Sequence, residues 1–348
     1  MTVLVVGAGA VGSLLAWALT VAGRDVVVIR RGHSGAPAHE VLTVVDRLGI
    51  RHPVSVTAVA RPDELPEPPE TIIFAVKMYD LAAAVASCAE FPGATALTVA
   101  NGIGAEALVA HARPNAGLIA ASLTAAVEPI APGELRWLTS GGLTLAPAHG
   151  EVEPRLTDLA SAFGAAGMRV RRCADPVAMK WSKLLGNLLG NATGALLDLD
   201  VGRIYRNPAL FDLERGQVLE ALAVMRRLGV RPVALAGADI RLLAAAMRLP
   251  PAIARPVLAR VAGGARGGKD PSLRAQVRSG HGPSEVEWLN GAVVRAGAAS
   301  GLATPINRAL TELVLEALDD PVRRAWLHTR PDRLLDAIAE RGGSPRAR

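Results

Sequence analysis

A chain of 348 residues is long enough for about two domains of roughly 150 residues each. Half of the residues are apolar and 20% are charged, which excludes disorder as a description of the whole chain. The formal charge is +6, but basic residues neither form a block of five nor alternate with aromatic ones, so no nucleic-acid partner is expected. Two cysteines are too few for a disulfide framework, and seven histidines show no metal-ligand spacing. A reducing cytoplasm and no bound metal are therefore expected.

The first 23 residues contain no charged side chain, a length that suits a membrane span or a signal segment. No basic residue precedes this apolar run, however, and glycines interrupt it repeatedly, so no membrane segment is predicted. Val3–Val6 is instead typical of a buried parallel strand, Ser13–Val21 has the length of a helix, and Val26–Ile29 has the length of a second strand.

The glycine motif Gly7-Ala8-Gly9-Ala10-Val11-Gly12 lies between the first strand and the helix. In this order of elements, the spacing is typical of dinucleotide binding. The first glycine makes a tight turn, the second lets the backbone approach a pyrophosphate, and the third allows the helix to pack closely on the strand. All six residues are therefore predicted to bind a cofactor at the helix N-terminus. A merely structural turn is the alternative.

The second strand ends in Arg30-Arg31, which bears on the choice of cofactor. An NAD site places an acidic residue here for the ribose 2′-hydroxyl, whereas arginine accommodates the 2′-phosphate. Arg31 lies 19 residues after Gly12, so NADPH/NADP+ is predicted. The alternative is that both arginines are surface residues at the start of a loop.

Polar residues also follow two further predicted strands. Thr71–Val76 runs into Lys77, and Thr95–Ala100 runs into Asn101. Ligands of open α/β sheets bind at the carboxyl ends of strands. For either residue alone the alternative is ordinary loop polarity, but their agreement with Gly7 and Arg31 on one sheet edge favours a functional role.

The remaining pattern predicts the domain organisation. Strands are expected at Leu118–Val127 and Leu135–Thr139 around a turn at Pro129–Glu134, and the signal is helical from Pro176 onward. The predicted fold class is α/β, with a Rossmann-type parallel-sheet domain over 1–172 and an all-α domain over 173–340. Residues 341–348 are predicted to form a disordered tail.

Val177–Leu199 is an apolar-periodic segment in which Lys183, Asn187 and Asn191 are spaced four apart and form a polar stripe on one predicted helix. Asparagines are poor helix formers, and a solvated face usually carries longer charged side chains, so the stripe is predicted to face a cleft. A lysine there can protonate a carbonyl oxygen as a hydride arrives.

A second helix start is predicted at Ser284, with Ser284 as N-cap and Glu287 completing a capping box. Glu285 falls in its first turn, where capping and a functional role are both open.

The chain contains a series of motifs in a fixed order: Gly7-x-Gly9-x-x-Gly12 with Arg31, Val76-Lys77-x-Tyr79-Asp80, Asn101-Gly102, Trp181-x-Lys183-Leu184-x-x-Asn187-x-x-x-Asn191, Pro271-Ser272-Leu273, Ser284-Glu285, Leu289-Asn290-Gly291 and Gly301-x-x-Thr304-Pro305-x-Asn307. In this combination and order, the sequence resembles the ketopantoate reductase (2-dehydropantoate 2-reductase) family over nearly the whole chain. The resemblance implies an NADPH-binding Rossmann domain, a helical domain, an active-site cleft between them and a place in pantothenate biosynthesis.

The resemblance also implies roles for single residues. Lys183 is the expected general acid at the ketone oxygen, and Glu285 orients the substrate hydroxyl or the lysine. Asn101 contacts the cofactor and Lys77 lies near its phosphate or ribose. The expected substrate ligands are Asn187, Asn191 and, for the carboxylate, Ser272.

The expected substrate is a small 2-oxo acid, either ketopantoate or a close analogue. Reduction of another carbonyl or an imine, and a non-catalytic NADP(H)-sensing protein, are the alternatives. The oligomeric state stays open, a homodimer included.

Two features depart from the family pattern. Where relatives commonly carry Ser-Met-x-x-Asp, this chain has Ser272-Leu273-Arg274-Ala275-Gln276, and the connection to Glu285 is one residue longer. The preceding Gly263–Lys269 is glycine-rich and basic, suited either to an anionic substrate or to a flexible connection. These differences lie on the predicted substrate side and leave the identity of the oxo acid open.

Overall fold

The computed structural model describes residues 2–30, 37–65, 67–264, 272–280 and 282–344. The chain divides into two compact units, Met1–Met179 with Leu235–Ala238 and Lys180–Ala234 with Asp239–Arg348. The division falls after Met179, inside a helix, where the sequence predicts a domain limit after residue 172.

The first unit combines one large sheet with helices and one short 3₁₀ turn, Pro62–Glu64. Its strands are β1 Thr2–Val6, β2 Asp25–Ile29, β3 Ala38–Val45, β4 Arg51–Val59, β5 Thr71–Phe74, β6 Thr95–Thr98, β7 Leu118–Leu123, β8 Val127–Ala131, β9 Glu134–Trp137, β10 Gly142–His149 and β11 Arg169–Arg172. Its helices are α1 Ala10–Val21, α2 Met78–Ala86, α3 Ala105–Ala112 and α4 Glu153–Ala165.

The strand order in the sheet is β11-β10-β7-β6-β5-β1-β2-β4-β3-β9-β8. Neighbouring strands from β7 through β4 run parallel. The central strands β1 and β5 are apolar and almost completely buried, as expected of strands covered on both faces. The predicted Rossmann-type sheet is confirmed, and antiparallel pairs at β10, β3 and β8 make the whole sheet mixed.

The prediction of one strand over Leu118–Val127 is wrong. Leu118–Leu123 lies between β6 and β10, whereas Val127–Ala131 lies at the far edge of the sheet beside β9. Thr124 marks the break, because its hydroxyl oxygen accepts the N–H of Gly142 at 2.8 Å. The predicted turn is also shorter, since residues 129–131 continue the strand and Gly133, with φ +73°, makes the reversal.

The second unit is helical, as predicted. Its helices are α5 Pro176–Leu188, which begins in the first unit, α6 Ala192–Leu197, α7 Val201–Arg206, α8 Pro208–Arg227, α9 Ile240–Arg248, α10 Pro251–Gly264, α11 Ser272–Ser279, α12 Asn290–Ala299, α13 Pro305–Asp319, α14 Pro321–Leu327 and α15 Pro331–Glu340. Glu285–Trp288 forms a 3₁₀ turn, and β12 Ala234–Leu235 pairs with β13 Ala238–Asp239.

Several of these helices begin at proline. Proline has no N–H, but a residue in the first turn of a helix needs none, because its N–H would have no partner within the helix. Asn207 and Asp320 cap two such starts by accepting backbone N–H groups. Within the described ranges, none of the helices combines the length and the apolar character needed to cross a membrane.

Arg341 stands at the start of the predicted disordered tail and belongs to the packed structure. Its guanidinium forms ion pairs with Glu316 at 2.6 Å and Glu312 at 3.4 Å. Residues 345–348 lie outside the described residues.

Replacing Arg113 tests the packing of the first unit. Arg113 is 6% exposed and donates to the carbonyls of Cys88 at 2.9 Å, Ala94 at 3.2 Å and Phe91. Arg113→Leu leaves these three buried carbonyl oxygens without a donor. The free energy of unfolding, measured by urea denaturation, should therefore fall by about 2–4 kcal/mol.

Arg136→Leu is the matched control, because Arg136 is half exposed and its pair with Glu128 contributes less than about 1 kcal/mol. Equal losses in the two variants would contradict the assigned role of Arg113.

Candidate active site

The glycine loop between β1 and α1 has the shape that a dinucleotide loop requires. Gly7 has φ +106°, and a Cβ at this position would lie 2.8 Å from the backbone of Ala75. A Cβ on Gly12 would lie 1.9 Å from the carbonyl oxygen of Gly7. Among the described residues, no atom comes within 4 Å of a Cβ built on Gly9, which is exposed. The loop is therefore closed at the first and third glycines and open at the second, where a phosphate would approach.

Helix α1 starts directly from this loop. Gly9 occupies the N-cap position, and the first helical hydrogen bond runs from Ser13 N–H to the Gly9 carbonyl at 2.8 Å. The N–H groups of the first turn have no partner inside the helix, and the helix dipole makes this end favourable for an anion. The loop thus fits a pyrophosphate held by the backbone N–H groups of Ala10, Val11 and Gly12.

Lys77 follows β5, which pairs with β1, and Asn101 follows β6, which pairs with β5. Val6 at the end of β1 pairs with Phe74, and Phe74 pairs with Thr98, so the three strands end at the same level. Lys77 is the exposed N-cap residue of α2, and Asn101 is half-buried. The structure therefore brings both residues to the sheet edge that carries the glycine loop. Each of them also interacts within the protein.

Two sequence predictions fall outside the described residues. These are Arg31, predicted to bind the 2′-phosphate, and most of the glycine-rich connection before Ser272. The neighbouring Arg30 is described, and its Nε lies 2.5 Å from a carboxylate oxygen of Glu40.

Lys183 and Asn187 lie one turn apart on α5 and are both half-buried. The prediction of one helix over Val177–Leu199 is wrong, because α5 ends at Leu188 and α6 begins at Ala192. Asn191 therefore does not continue the stripe. It stands at the N-cap position of α6, is 4% exposed, and its Oδ1 accepts the N–H of Leu273 at 3.4 Å.

Gly190 explains the break between α5 and α6. Its φ of +58° is left-handed, and a Cβ there would lie 2.8 Å from a methyl group of Val201. Its N–H donates to the carboxylate of Glu214, which is completely buried. The end of the lysine helix is thus fixed by a residue from α8.

A buried polar network extends from this break. Gln217 donates to the Leu188 carbonyl at 3.2 Å and to Glu214 at 2.9 Å. The amide of Asn290 donates to Gln217 Oε1 at 2.9 Å and to Asn307 Oδ1 at 3.0 Å. All four polar side chains are at most 1% exposed. The network joins the end of α5 to the start of α12, which directly follows the Glu285 turn.

Sequence reasoning missed the members of this network on α8. Glu214, Gln217 and Glu220 recur at helical spacing among buried apolar residues. Polar residues at core positions of an amphipathic helix were the available signal. Burial raises the pKa of Glu220. Hydrogen bonds from the backbone N–H groups of Asn307 and Ile306, at the start of α13, lower this pKa, but the effect of burial is larger.

Ser272 is the exposed first residue of α11. Its neighbour Leu273 binds Asn191, so the structure brings two predicted substrate ligands together. The rest of α11 is anchored on Asp198 after α6. Arg274 and Arg278 each donate to one carboxylate oxygen of Asp198 at 2.7 Å.

Glu285 begins the 3₁₀ turn and is 4% exposed. Ser284 is its N-cap, as predicted, and its hydroxyl oxygen accepts the N–H of Val286 at 3.3 Å. The predicted capping box is wrong, because in the tighter turn Glu287 N–H bonds to the Ser284 carbonyl instead.

Comparisons with known proteins show which family the chain resembles over most of its length. Residues 3–150 match the family model described as ketopantoate reductase PanE/ApbA, and residues 176–317 match the model of its C-terminal part. A 2-dehydropantoate 2-reductase from Halobacterium salinarum is 31% identical over 92% of this chain and 100% of its own length.

Solved structures show the same similarity. A PanE/ApbA family ketopantoate reductase from Ralstonia eutropha has a TM-score of 0.74 at 26% identity, covering 92% of this chain and 99% of that one. A D-mandelate dehydrogenase bound to NADH and anilino(oxo)acetate has the same TM-score at 20% identity, with coverage of 92% and 99%, and thus shares the fold.

Asp198 should make the second unit sensitive to acid. Burial by itself raises the pKa of Asp198, but hydrogen bonds from Arg274 and Arg278 outweigh it and lower the pKa to about 2. The stabilisation, about 2 kcal/mol, is present above the unfolded pKa near 4 and is lost as the pH falls towards 2. Asp198→Asn, which tolerates the left-handed φ of +56°, should therefore unfold more easily at pH 7, with a difference from wild type that shrinks below about pH 4.

Denaturant unfolding of both proteins between pH 7 and 2 measures this difference. The exposed Asp319→Asn serves as control. A difference that stays constant over the whole range would disprove the ion-pair explanation.

Proposed function

The chain belongs to the ketopantoate reductase family, and on that premise we propose that it reduces the ketone of a small 2-oxo acid with NADPH. Ketopantoate (2-dehydropantoate), giving pantoate, or a close analogue is the proposed substrate. The observation that carries the proposal is the glycine loop, closed at Gly7 and Gly12 and open at Gly9 at the N-terminus of α1. This shape fits the pyrophosphate of a nicotinamide dinucleotide.

The proposed reaction assigns tasks to three residues of the second unit. A nicotinamide cofactor, when bound, would supply the hydride that reduces the carbonyl carbon of the substrate. Lys183 stabilises the negative charge that develops on the ketone oxygen and donates the proton that completes the alcohol. Asn187 lies one turn away on the same helix, where its amide can bind a substrate hydroxyl or carboxylate. Glu285 orients the substrate hydroxyl or the lysine.

The substrate carboxylate is assigned to Ser272. Its exposed position at the first residue of α11 leaves the hydroxyl accessible and close to backbone N–H groups of the helix start. Asn191 keeps a place in the proposed substrate site, and its bond to Leu273 N–H also holds Ser272 in position. Lys77, Asn101 and Arg31 complete the proposed cofactor site, with Arg31 selecting the 2′-phosphate.

A second candidate is a reductase of a different 2-oxo acid on the same scaffold. The observation in its favour is the shared fold with D-mandelate dehydrogenase, whose structure holds NADH and anilino(oxo)acetate. A screen of NADPH and NADH oxidation against ketopantoate, aromatic 2-oxo acids and imines separates the two candidates.

Lys183→Ala tests the general acid. Loss of a positioned proton donor should lower kcat by about 10²–10⁴-fold. The dissociation constant for NADPH, measured by fluorescence titration, should stay unchanged because the glycine loop is intact.

Lys183→Arg keeps the positive charge, but a guanidinium hardly gives up a proton. Compared with Lys183→Ala, this variant should therefore restore binding of the oxo acid more than turnover. Wild-type turnover in Lys183→Ala would refute the assignment. Tight NADPH binding by the wild type with no oxidation by any substrate would instead indicate a sensing protein.

Arg31→Ala tests the cofactor preference. Removing a charge-assisted contact with the 2′-phosphate should raise KM for NADPH about tenfold or more and leave KM for NADH nearly constant. Arg30→Ala is the matched neighbour, since Arg30 is paired with Glu40 and should change the NADPH to NADH ratio less. Equal effects of Arg31→Ala on both cofactors would overturn the assignment.

A further inference from the structure

One side chain, Gln276, ties α11 to the turn that carries Glu285. Its Oε1 accepts the hydroxyl of Ser284 at 3.1 Å, and its Nε2 donates to the carbonyl of Pro283. Ser284 is completely buried and directly precedes Glu285, which is 4% exposed. The amide therefore holds two consecutive residues immediately before the buried glutamate.

The partners of Gln276 require both a donor and an acceptor. The Pro283 carbonyl only accepts, so it faces the NH₂ group. The Ser284 oxygen already accepts the N–H of Val286 at 3.3 Å, and its proton is directed to Gln276 Oε1. A carboxylate of the same length could accept from Ser284 but would offer no donor to Pro283.

Two glycines lie between α11 and Pro283. Gly280 and Gly282 have φ values of +69° and +84°, a left-handed backbone conformation that glycine adopts easily. At the C-terminal end of α11, Ser279 Oγ and Gly280 N–H donate to the Gln276 backbone carbonyl at 2.7 and 3.0 Å. The side chain of Gln276 holds the chain again at Pro283 and Ser284.

We propose that Gln276 is the positioning residue that fixes Glu285 relative to Ser272, one turn earlier on the same helix. This inference rests on the proposed function, in which Ser272 holds the substrate carboxylate and Glu285 orients the substrate. Removing the tie displaces Glu285 and lowers kcat, because small misplacements of orienting groups are costly. Dinucleotide binding stays unchanged, since the glycine loop belongs to the other unit.

Gln276→Glu provides a pH-dependent test. The ionised carboxylate repels the Pro283 carbonyl, whereas the protonated acid donates to it and restores both bonds. At pH 8 we expect kcat about tenfold below wild type, with recovery to within about twofold near pH 5. Ala275→Glu, which adds the same charge at an exposed position of α11, should follow the wild-type pH profile. An equal loss at every pH, or no loss, overturns the inference.

Hydrogen–deuterium exchange of residues 282–289 supplies a readout that needs no activity. In Gln276→Asn the side chain is too short to reach both partners. The exchange rates of the Val286 and Leu289 amides should therefore rise, while those of α5 stay unchanged. Unaltered exchange overturns the inference. If the wild type reduces no oxo acid but exchange accelerates in Gln276→Asn, the proposed reaction is wrong, whereas the role of Gln276 in holding Pro283 and Ser284 is confirmed.

Discussion

The buried carboxylate of Glu214 sets the constraint on which the second unit depends. A completely buried acidic group is tolerated only when hydrogen bonds replace its water, and here Gly190 N–H and the Gln217 amide do so. Gly190 has a left-handed φ of +58° just after the end of α5, and its N–H binds this carboxylate instead of continuing the helix. The end of α5 and the burial of Glu214 thus meet at one residue, which directly precedes Asn191.

Two hydrogen-bonded paths connect this point to Glu285. One runs from the Leu188 carbonyl through Gln217 to Asn290, at the start of the helix after the glutamate turn. The other runs from Asn191 along α11 to Gln276 and Ser284. Asp198 adds an ionic anchor to the second path through Arg274 and Arg278. Residues proposed to act together are thus connected by polar contacts, of which those of Gln217, Asn191 and Asn290 are buried.

The sequence predicted the cofactor half better than the substrate half, for a physical reason. Gly7, Gly9 and Gly12 depend on a strand, a turn and a helix that follow one another, so local pattern and spacing contain most of the information. The parallel sheet followed likewise from short apolar runs. By contrast, the split of Leu118–Val127 depends on Thr124 contacting Gly142, which lies well beyond any local window.

The same limit explains why the prediction of a polar stripe of Lys183, Asn187 and Asn191 was only partly correct. Lys183 and Asn187 share a helix face because helical periodicity holds between them. Periodicity contains no information about the end of the helix, where Gly190 N–H binds Glu214, 24 residues further along the chain. Glu285 was placed correctly in a first turn by the cap at Ser284. The hydrogen bond between Ser284 and Gln276 could not be predicted, because the length of the connection between them contains no information about its geometry. Motif residues such as Asn290 and Asn307 were recognisable in sequence, yet only the fold shows that a hydrogen bond joins them in the core. Their side chains build the support of the candidate site, so a motif match identifies such residues without revealing whether they bind substrate or hold the residues that do.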